Sequence, residues 1–375
     1  MNWIRTHKWL SACIALVIVG VVSLTAWIAI LYGSYQSAVV TTATPPPAAA
    51  ATPTPTPDPL GPYSILLLGH GGPGHEGGAL TDTIMLAYIQ PRKETIHLIS
   101  IPRDVWVQLP LLPNGETKGY KVNAAYAVGK DASQYKNRPQ EYTGEGGGGS
   151  LAKYAVSQIT GIQPTYFMAV NFYAFEEAID ALGGISVRVS QGFDDPYYPL
   201  AGEEKNTCEK SEEEITALSA TLSGDLLNQE FACRYEHLFF EAGAQEMDGE
   251  TALKYVRSRH STQAGNDFSR AERQQAVLEA VKKKVIALNF FPKIIPLVQS
   301  LSRNLQTDID STTFSALLVK APELQTYTIE HIVLSESNVL KSARSSDGQY
   351  ILEPKNLDTS EWQEIHQFIQ EKTEE

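Results

Sequence analysis

The chain has 375 residues, 43% hydrophobic and 9% aromatic, enough apolar material for one large globular domain or two ordinary ones. Its formal net charge of −13 argues against a protein that grips nucleic acid with a broad basic face. Three cysteines are too few for a disulfide scaffold, and no Cys-x-x-Cys pair marks a zinc site.

In chain order, residues 1–9 read as a short cytoplasmic tail and residues 10–32 as a transmembrane helix. Leu10 to Leu31 is uncharged and almost wholly apolar, with about the twenty residues a helix needs to cross a bilayer. Trp9, Trp27 and Tyr32 stand near its ends, where aromatic rings favour the interface. Arg5 and Lys8 precede the span and no basic residue follows until Arg92. The positive-inside bias therefore puts the N-terminus in the cytoplasm and the rest outside the cell. A cleaved signal peptide normally has a shorter apolar run, so the segment is read as an uncleaved single-pass anchor.

Residues 33–59 form a stalk. The stretch TTATPPPAAAATPTPTPDP has no core-forming residues, and as a polyproline-like spacer at about 3.1 Å per residue it would reach roughly 60 Å at most. Residues 60–375 are expected to form one extracytoplasmic domain. Tyr63 to Leu68, Thr83 to Ile89 and Thr95 to Ile101 read as buried strands. Phe172 to Leu182 reads as a helix that stops at Gly183-Gly184, with a strand from Ile185 to Val189. Ser269 followed by Glu272 reads as a capping box opening a helix whose core face carries Val277, Val281, Val285 and Leu288. Strands alternating with helices predict a layered α/β fold. Lys130 to Ser150 and the Glu-rich residues 191–241 read as loops or insertions. The second is a lid or a solvated excursion, the composition favouring the excursion. Cys208 and Cys233 both fall in it and can pair if the segment is extracytoplasmic.

Four features carry chemistry. GHGGPGHEGG, Gly69 to Gly78, follows a strand as a phosphate-approaching loop would, but it is neither a Walker loop nor a dinucleotide fingerprint. Thr81-Asp82-Thr83 places a lone acid at a strand start. Arg103-Asp104 follows an apolar strand, where ligand sites of α/β sheets gather; a structural ion pair is the plainer reading. The strongest is Tyr255-Val256-Arg257-Ser258-Arg259 followed by Asp267-Phe268-Ser269-Arg270-Ala271-Glu272-Arg273. Arg257 and Arg259, two apart, point the same way in an extended segment. Arg270 and Arg273 sit at a helix N-terminus, where the helix dipole adds to the pull on anions. Guanidinium forks suit phosphate oxygens, and four such groups in an acidic chain call for an anion between them. Lys282-Lys283-Lys284, by contrast, reads as a solvated face.

Taken in order, ILLLG, TDTIML, ISIPRDVWV, KVNAAY, GGISVRV, MDGETALKYVRSRH and DFSRAERQQ resemble the LytR–CpsA–Psr family of cell-wall glycopolymer transferases, from about Tyr63 to Lys284. The resemblance implies a three-layer α/β/α domain with a central mixed sheet. It implies a phosphotransferase that moves a glycopolymer from a polyprenyl pyrophosphate carrier to a hydroxyl of peptidoglycan or of a surface protein. It also implies Mg²⁺, with Mn²⁺ as a second choice. Carried over by motif, Asp82 is a metal ligand; Arg103, Arg257, Arg259 and Arg270 hold the pyrophosphate; Asp267 orients these arginines; Lys121 and Asn123 lie nearby. Asp104 and Asp267 are both candidates for the general base that the acceptor hydroxyl needs. The chain departs from the family at His70, which stands where an aspartate usually supplies a second metal ligand. Magnesium prefers oxygen, so Asp82 alone, Asp82 with Glu76, or a softer ion on His70 or His75 are the alternatives. A hydrolase of the same lipid and a non-catalytic, lipid-binding regulatory module are the rival functions.

Overall fold

The computed structural model describes residues 61–73, 75, 77–131, 133–261, 267–287, 304–320, 323, 326–356 and 362–374. The expected membrane helix and stalk, Glu76, Leu288 and the side chain of Asp267 lie outside the described residues. No helix among the described residues is long and apolar enough to cross a membrane.

The centre is a mixed sheet. The strands β1 (Tyr63–His70), β2 (Thr81–Gln90) and β3 (Thr95–Ser100) fall where the apolar runs predict. They pair antiparallel in sequence, β1 with β2 and β2 with β3. β6 (Tyr166–Asn171) joins β1 in parallel, and β12 (Thr328–Val333) joins β3 in parallel. The short β11 (Leu305–Thr307) runs antiparallel on the outer side of β6, giving six strands in the order β11-β6-β1-β2-β3-β12. Two small pairs, β4 (Trp106–Pro110) with β5 (Thr117–Lys121) and β13 (Leu340–Arg344) with β14 (Tyr350–Pro354), lie off it.

Helices cover both faces. On one, α1 (Ala124–Lys130), α2 (Gly147–Thr160) and α9 (Gln363–Glu374) bury the even positions of β1 and β2. Leu66, Leu68, Ile84 and Leu86 pack there with Leu151, Val156, Ile159, Ile365 and Ile369. The glycine run read as a loop is instead the first turn of α2, because its lack of side chains lets the helix approach closely. A Cβ at Gly149 would stand 2.2 Å from the ring of Phe167, and one at Gly129 would stand 2.4 Å from the carbonyl of Gly147.

On the opposite face lie α3 (Phe172–Ala181), α6 (Gly249–Arg257) and α7 (Asp267–Ala287). Asn171 caps α3 by accepting from the Ala174 amide at 2.9 Å, and Asp248 caps α6 by accepting from the Thr251 amide at 2.8 Å. The helix α7 opens at Asp267, two residues before the expected cap, so Ser269 lies inside it and the capping-box reading is corrected. Val277 and Ala280 of α7 pack with Leu253 and Val256 of α6 and with β7 (Ile185–Val189), which pairs with β10 (Gly243–Met247).

The 191–241 segment is more ordered than its composition predicts. The strands β8 (Phe193–Pro199) and β9 (Tyr235–Phe240) form its antiparallel base. Its tip carries α4 (Glu212–Thr221) and α5 (Asp225–Glu230), with Cys208 disulfide-bonded to Cys233. Ser211 and Glu214 make the capping box at the start of α4, which has no buried residues. The tip is a solvated excursion. The base is not, since it reaches the cavity described below.

Candidate anion site

Between the sheet and the second helix layer lies a cavity of about 510 Å³. Leu67, Met85, Met168, Val170, Phe175, Leu253, Val256, Val277 and Leu278 supply apolar walls from both layers. The polar lining is short: Asp82, Thr83, Asn171, Arg257, Arg259, His260, Arg270 and Gln274, with the hydroxyl-bearing Tyr198. Residues far apart in the chain thus form a greasy chamber with three arginines among its few polar walls.

Asp82 sits where β2 begins, and its Oδ1 accepts from Arg103 Nη1 at 2.8 Å and Arg259 Nη2 at 2.9 Å. Burial pushes its carboxyl up, but the charge of Arg259 and the bond from Arg103 outweigh that and hold it below the usual carboxylate value. Arg103 also donates from Nε to Asp104 Oδ2 at 3.4 Å, and Lys121 Nζ donates to Asp104 Oδ1 at 2.7 Å. Asp104 is buried behind these two cations and does not line the cavity, a placement that suits holding Arg103 rather than taking a proton from a substrate. The Asn123 carbonyl accepts from the Thr81 amide at 3.1 Å and the Thr81 hydroxyl at 3.2 Å, and its amide donates to the Arg103 carbonyl at 3.3 Å. Asn123 therefore ties the segment carrying Asp82 to the segment carrying Arg103.

Arg257 is the last residue of α6, not part of an extended segment as the spacing predicts. Its guanidinium lies 4.1 Å from the ring centre of Phe172, and its Nη1 donates to the Tyr198 hydroxyl at 2.9 Å. The chain leaves the helix at Ser258, and Arg259 then turns to the same cavity. Arg270, on the first turns of α7, lines the cavity too. Arg273 does not. It is buried against Phe193, 4.7 Å from the ring centre, and its Nη2 donates to the Ser258 carbonyl at 2.6 Å. Burial, with the nearby Arg270 charge, pushes its pKa down to about 10. The expectation that Arg273 holds pyrophosphate is therefore corrected: it holds the backbone between Arg257 and Arg259.

His70 also falls away from the cluster. Alternation along β1 puts it on the face of Leu66 and Leu68, where it meets the ring of Tyr126 at 5.3 Å, while Leu67 and Gly69 line the cavity. Its ring Nδ1 bonds the Gly78 carbonyl at 3.0 Å, and burial pushes its pKa down. The glycine-rich turn is closed on itself, with the Gly72 amide donating to the Gly78 carbonyl at 2.7 Å. His75, from the same turn, packs edge-on to Phe172 at 5.1 Å between ring centres. Among the described residues Asp82 is the one carboxylate lining the cavity, and no three His, Cys, Asp or Glu side chains gather to hold a metal.

The sequence model of the LytR_cpsA_psr family matches residues 32–367, nearly the whole chain. The chain belongs to the LytR–CpsA–Psr family. Among its relatives is the polyisoprenyl-teichoic acid–peptidoglycan teichoic acid transferase TagU of Enterococcus faecalis. The two are 27% identical over 250 residues, 66% of this chain and 62% of that protein. Biofilm regulatory protein A of Streptococcus mutans is 28% identical over 265 residues, 68% of this chain and 53% of that protein. The chain thus spans just over half to three fifths of these relatives. The crystal structure of Bacillus subtilis TagV shares the fold, with a TM-score of 0.53 at 24% identity, over 83% of this chain and 97% of that one.

The family's motifs mark Asp82, Arg103, Arg257, Arg259 and Arg270, and three-dimensional folding brings them together. Asp195, Tyr198 and His260 escape the sequence reading. Tyr198 and Asp195 lie in the insertion read as solvated, where no sequence pattern marks them.

Proposed function

We propose that this protein is a membrane-anchored phosphotransferase that moves a glycopolymer from a polyprenyl pyrophosphate carrier onto a hydroxyl of peptidoglycan or of a surface protein. The observation that carries the reading is the apolar cavity of about 510 Å³ whose lining includes Arg257, Arg259 and Arg270 together with Asp82, the last paired with Arg259. A hydrocarbon chain suits the apolar walls, and a pyrophosphate suits the arginines. The expected anchor at residues 10–32 and stalk at 33–59 would hold that cavity near the outer membrane surface, where such a carrier lies.

In the proposed reaction the acceptor hydroxyl attacks the phosphorus next to the glycan. A new P–O bond forms, the bridging P–O bond of the pyrophosphate breaks, and polyprenyl phosphate leaves, taking the electron pair of that bond and the proton that the hydroxyl gives up. The arginines bind both phosphates and stabilise the charge that builds on the departing one, the main demand of phosphoryl transfer. Arg103, held by Asp104 and backed by Lys121, reaches the cluster through Asp82. One carboxylate plus phosphate oxygens and water is a hard-oxygen donor set that Mg²⁺ accepts, so Asp82 fits as its single protein ligand. Bound there, the ion would neutralise phosphate charge.

The test is incubation of the purified full chain with a lipid-linked glycan and peptidoglycan. Covalent glycan on the peptidoglycan is expected. Free glycan phosphate with no adduct would make the protein a hydrolase, and lipid binding without turnover would make it a regulatory module.

A further inference from the structure

Asp195 is fully buried in β8, with the buried Arg273 charge nearby, and its two oxygens accept four bonds from hydroxyl and backbone donors. Oδ1 takes the Tyr197 amide at 3.0 Å. Oδ2 takes the Ser258 hydroxyl at 2.7 Å, the Arg259 amide at 2.9 Å and the His260 amide at 3.1 Å. Three consecutive residues of the arginine segment thus converge on one oxygen.

The local geometry is built for this. The β8–β9 register shifts between Asp195 and Tyr198, and Pro196, which has no N–H to pair, sits within the shift. The irregularity aims two side chains at the site: Asp195 at the backbone of Arg259, and Tyr198 at the guanidinium of Arg257. On the far side of the same segment Arg273 grips the Ser258 carbonyl at 2.6 Å. The backbone at Ser258–His260 is therefore clamped from two elements where α6 ends: the Ser258 amide still donates to the Lys254 carbonyl at 3.0 Å, while the Arg259 and His260 amides donate to Asp195 instead. From that clamp Arg259 reaches Asp82 on the central sheet at 2.9 Å, along the cavity wall, with its side chain still 32% exposed.

We infer that Asp195 is a positioning residue that sets Arg259 for the pyrophosphate, and that the base of the insertion is part of the head-group site. This deepens the reading given above and rests on it. The role is electrostatic as well as steric, because a carboxylate acceptor bonds amides more strongly than a neutral one does.

The experiment measures binding of geranylgeranyl pyrophosphate and of geranylgeraniol to the purified full chain in detergent. The wild type is expected to prefer the pyrophosphate. Asp195→Asn should cut that preference by about tenfold or more while leaving the alcohol's affinity within about twofold, the loss expected from weakening charge-assisted bonds. In an Arg259→Ala background Asp195→Asn should add little, because it acts through Arg259. A full additional loss in that background, or an unchanged preference in the single variant, overturns the inference. Should Asp195→Asn fail to fold, Ser258→Ala removes one donor and keeps the carboxylate; it should lower the preference by about threefold, and no change there overturns the inference. A wild type that does not distinguish pyrophosphate from alcohol overturns the proposed function itself, and the inference with it.

Discussion

Leu66 and Leu67 are neighbours on β1, yet they serve different halves of the molecule. Leu66 is fully buried against the α1–α2–α9 layer, where branched side chains and close-set glycines leave no space. Leu67 faces the other way, onto a cavity that the α3–α6–α7 layer spans without filling. Ile84 and Met85 on β2 divide in the same manner. One face spends all its apolar surface on packing; the other packs in part, around Ala87, Ile89 and Leu98, and in part leaves apolar walls around a space that arginines also line. The tightest packing and the proposed ligand binding thus fall on opposite sides of one sheet, so substitutions should separate them.

The largest separation is expected at the arginines. Arg257→Ala with Arg259→Ala removes the two guanidinium contacts proposed for the pyrophosphate, each worth roughly 1.5–3 kcal/mol, so transfer should fall by about 10²–10⁴-fold. The melting temperature should move much less, since the partners these partly exposed side chains lose, Asp82 for Arg259 and Tyr198 with Phe172 for Arg257, are screened contacts of small worth. Transfer from a lipid-linked donor and thermal melting of the same preparation check both halves. Retained transfer would break the comparison at its functional end.

The packed face should show the reverse. Ile159→Ala on α2 deletes fully buried atoms and should cost about 2–5 kcal/mol of stability, read by denaturant unfolding. Met168→Ala, on the cavity wall, enlarges a space that already exists and should cost less than about 1.5 kcal/mol. It should instead weaken binding of a polyprenyl chain. Equal stability losses at the two positions would mean that the cavity is as tightly packed as the core.

Asp82 couples the two halves, because it starts a core strand and faces the arginines. Its folded pKa is depressed, so the stability it contributes is present above its ordinary value of about 4 and is lost as pH falls through the folded value. The side chain is 40% exposed, and the contribution is correspondingly small. The gap in melting temperature between wild type and Asp82→Asn should be visible at neutral pH and close below about pH 4. A gap that persists into acid would assign the effect to packing.

Much of this division was legible in the sequence, for a physical reason. Apolar runs such as ILLL and TIMLAYI declare buried strands whatever surrounds them, and arginines clustered in an acidic chain declare an anion. The failures arose where a partner distant in sequence decides the outcome. The glycines at 147–149 read as a loop because their helix is dictated by Phe167 and α1 rather than by propensity. Arg273 looked like its three neighbours in the motif, but three residues fall short of a helical turn, and the roughly 60° that separates it from Arg270 carries it into the core, under Phe193. Asp195 carried no signal at all, since its partners lie more than sixty positions away, at Ser258, Arg259 and His260.

The smallest effect is expected at His70, and it bears on the metal. Only 7% of the residue is exposed, on the packed face of β1, with one nitrogen on the Gly78 carbonyl. Burial lowers its folded pKa, and the bond to Gly78 offsets this only in part. The ring is thus held neutral while the unfolded chain takes up a proton below about pH 6.5. Stability tied to His70 is therefore full above that value and declines as pH falls, by at most about 1.4 kcal/mol per pH unit. His70→Gln keeps a donor for Gly78 and removes the titration, so the melting temperature of the variant should fall less steeply than that of the wild type between about pH 6.5 and 5. Because the ring faces Tyr126 and not Asp82, the same variant should leave the dependence of transfer on Mg²⁺ and Mn²⁺ unchanged. A shift from Mn²⁺ toward Mg²⁺ in His70→Gln would place the ring on the metal after all, and with it a connection between the two faces that the sheet otherwise keeps apart.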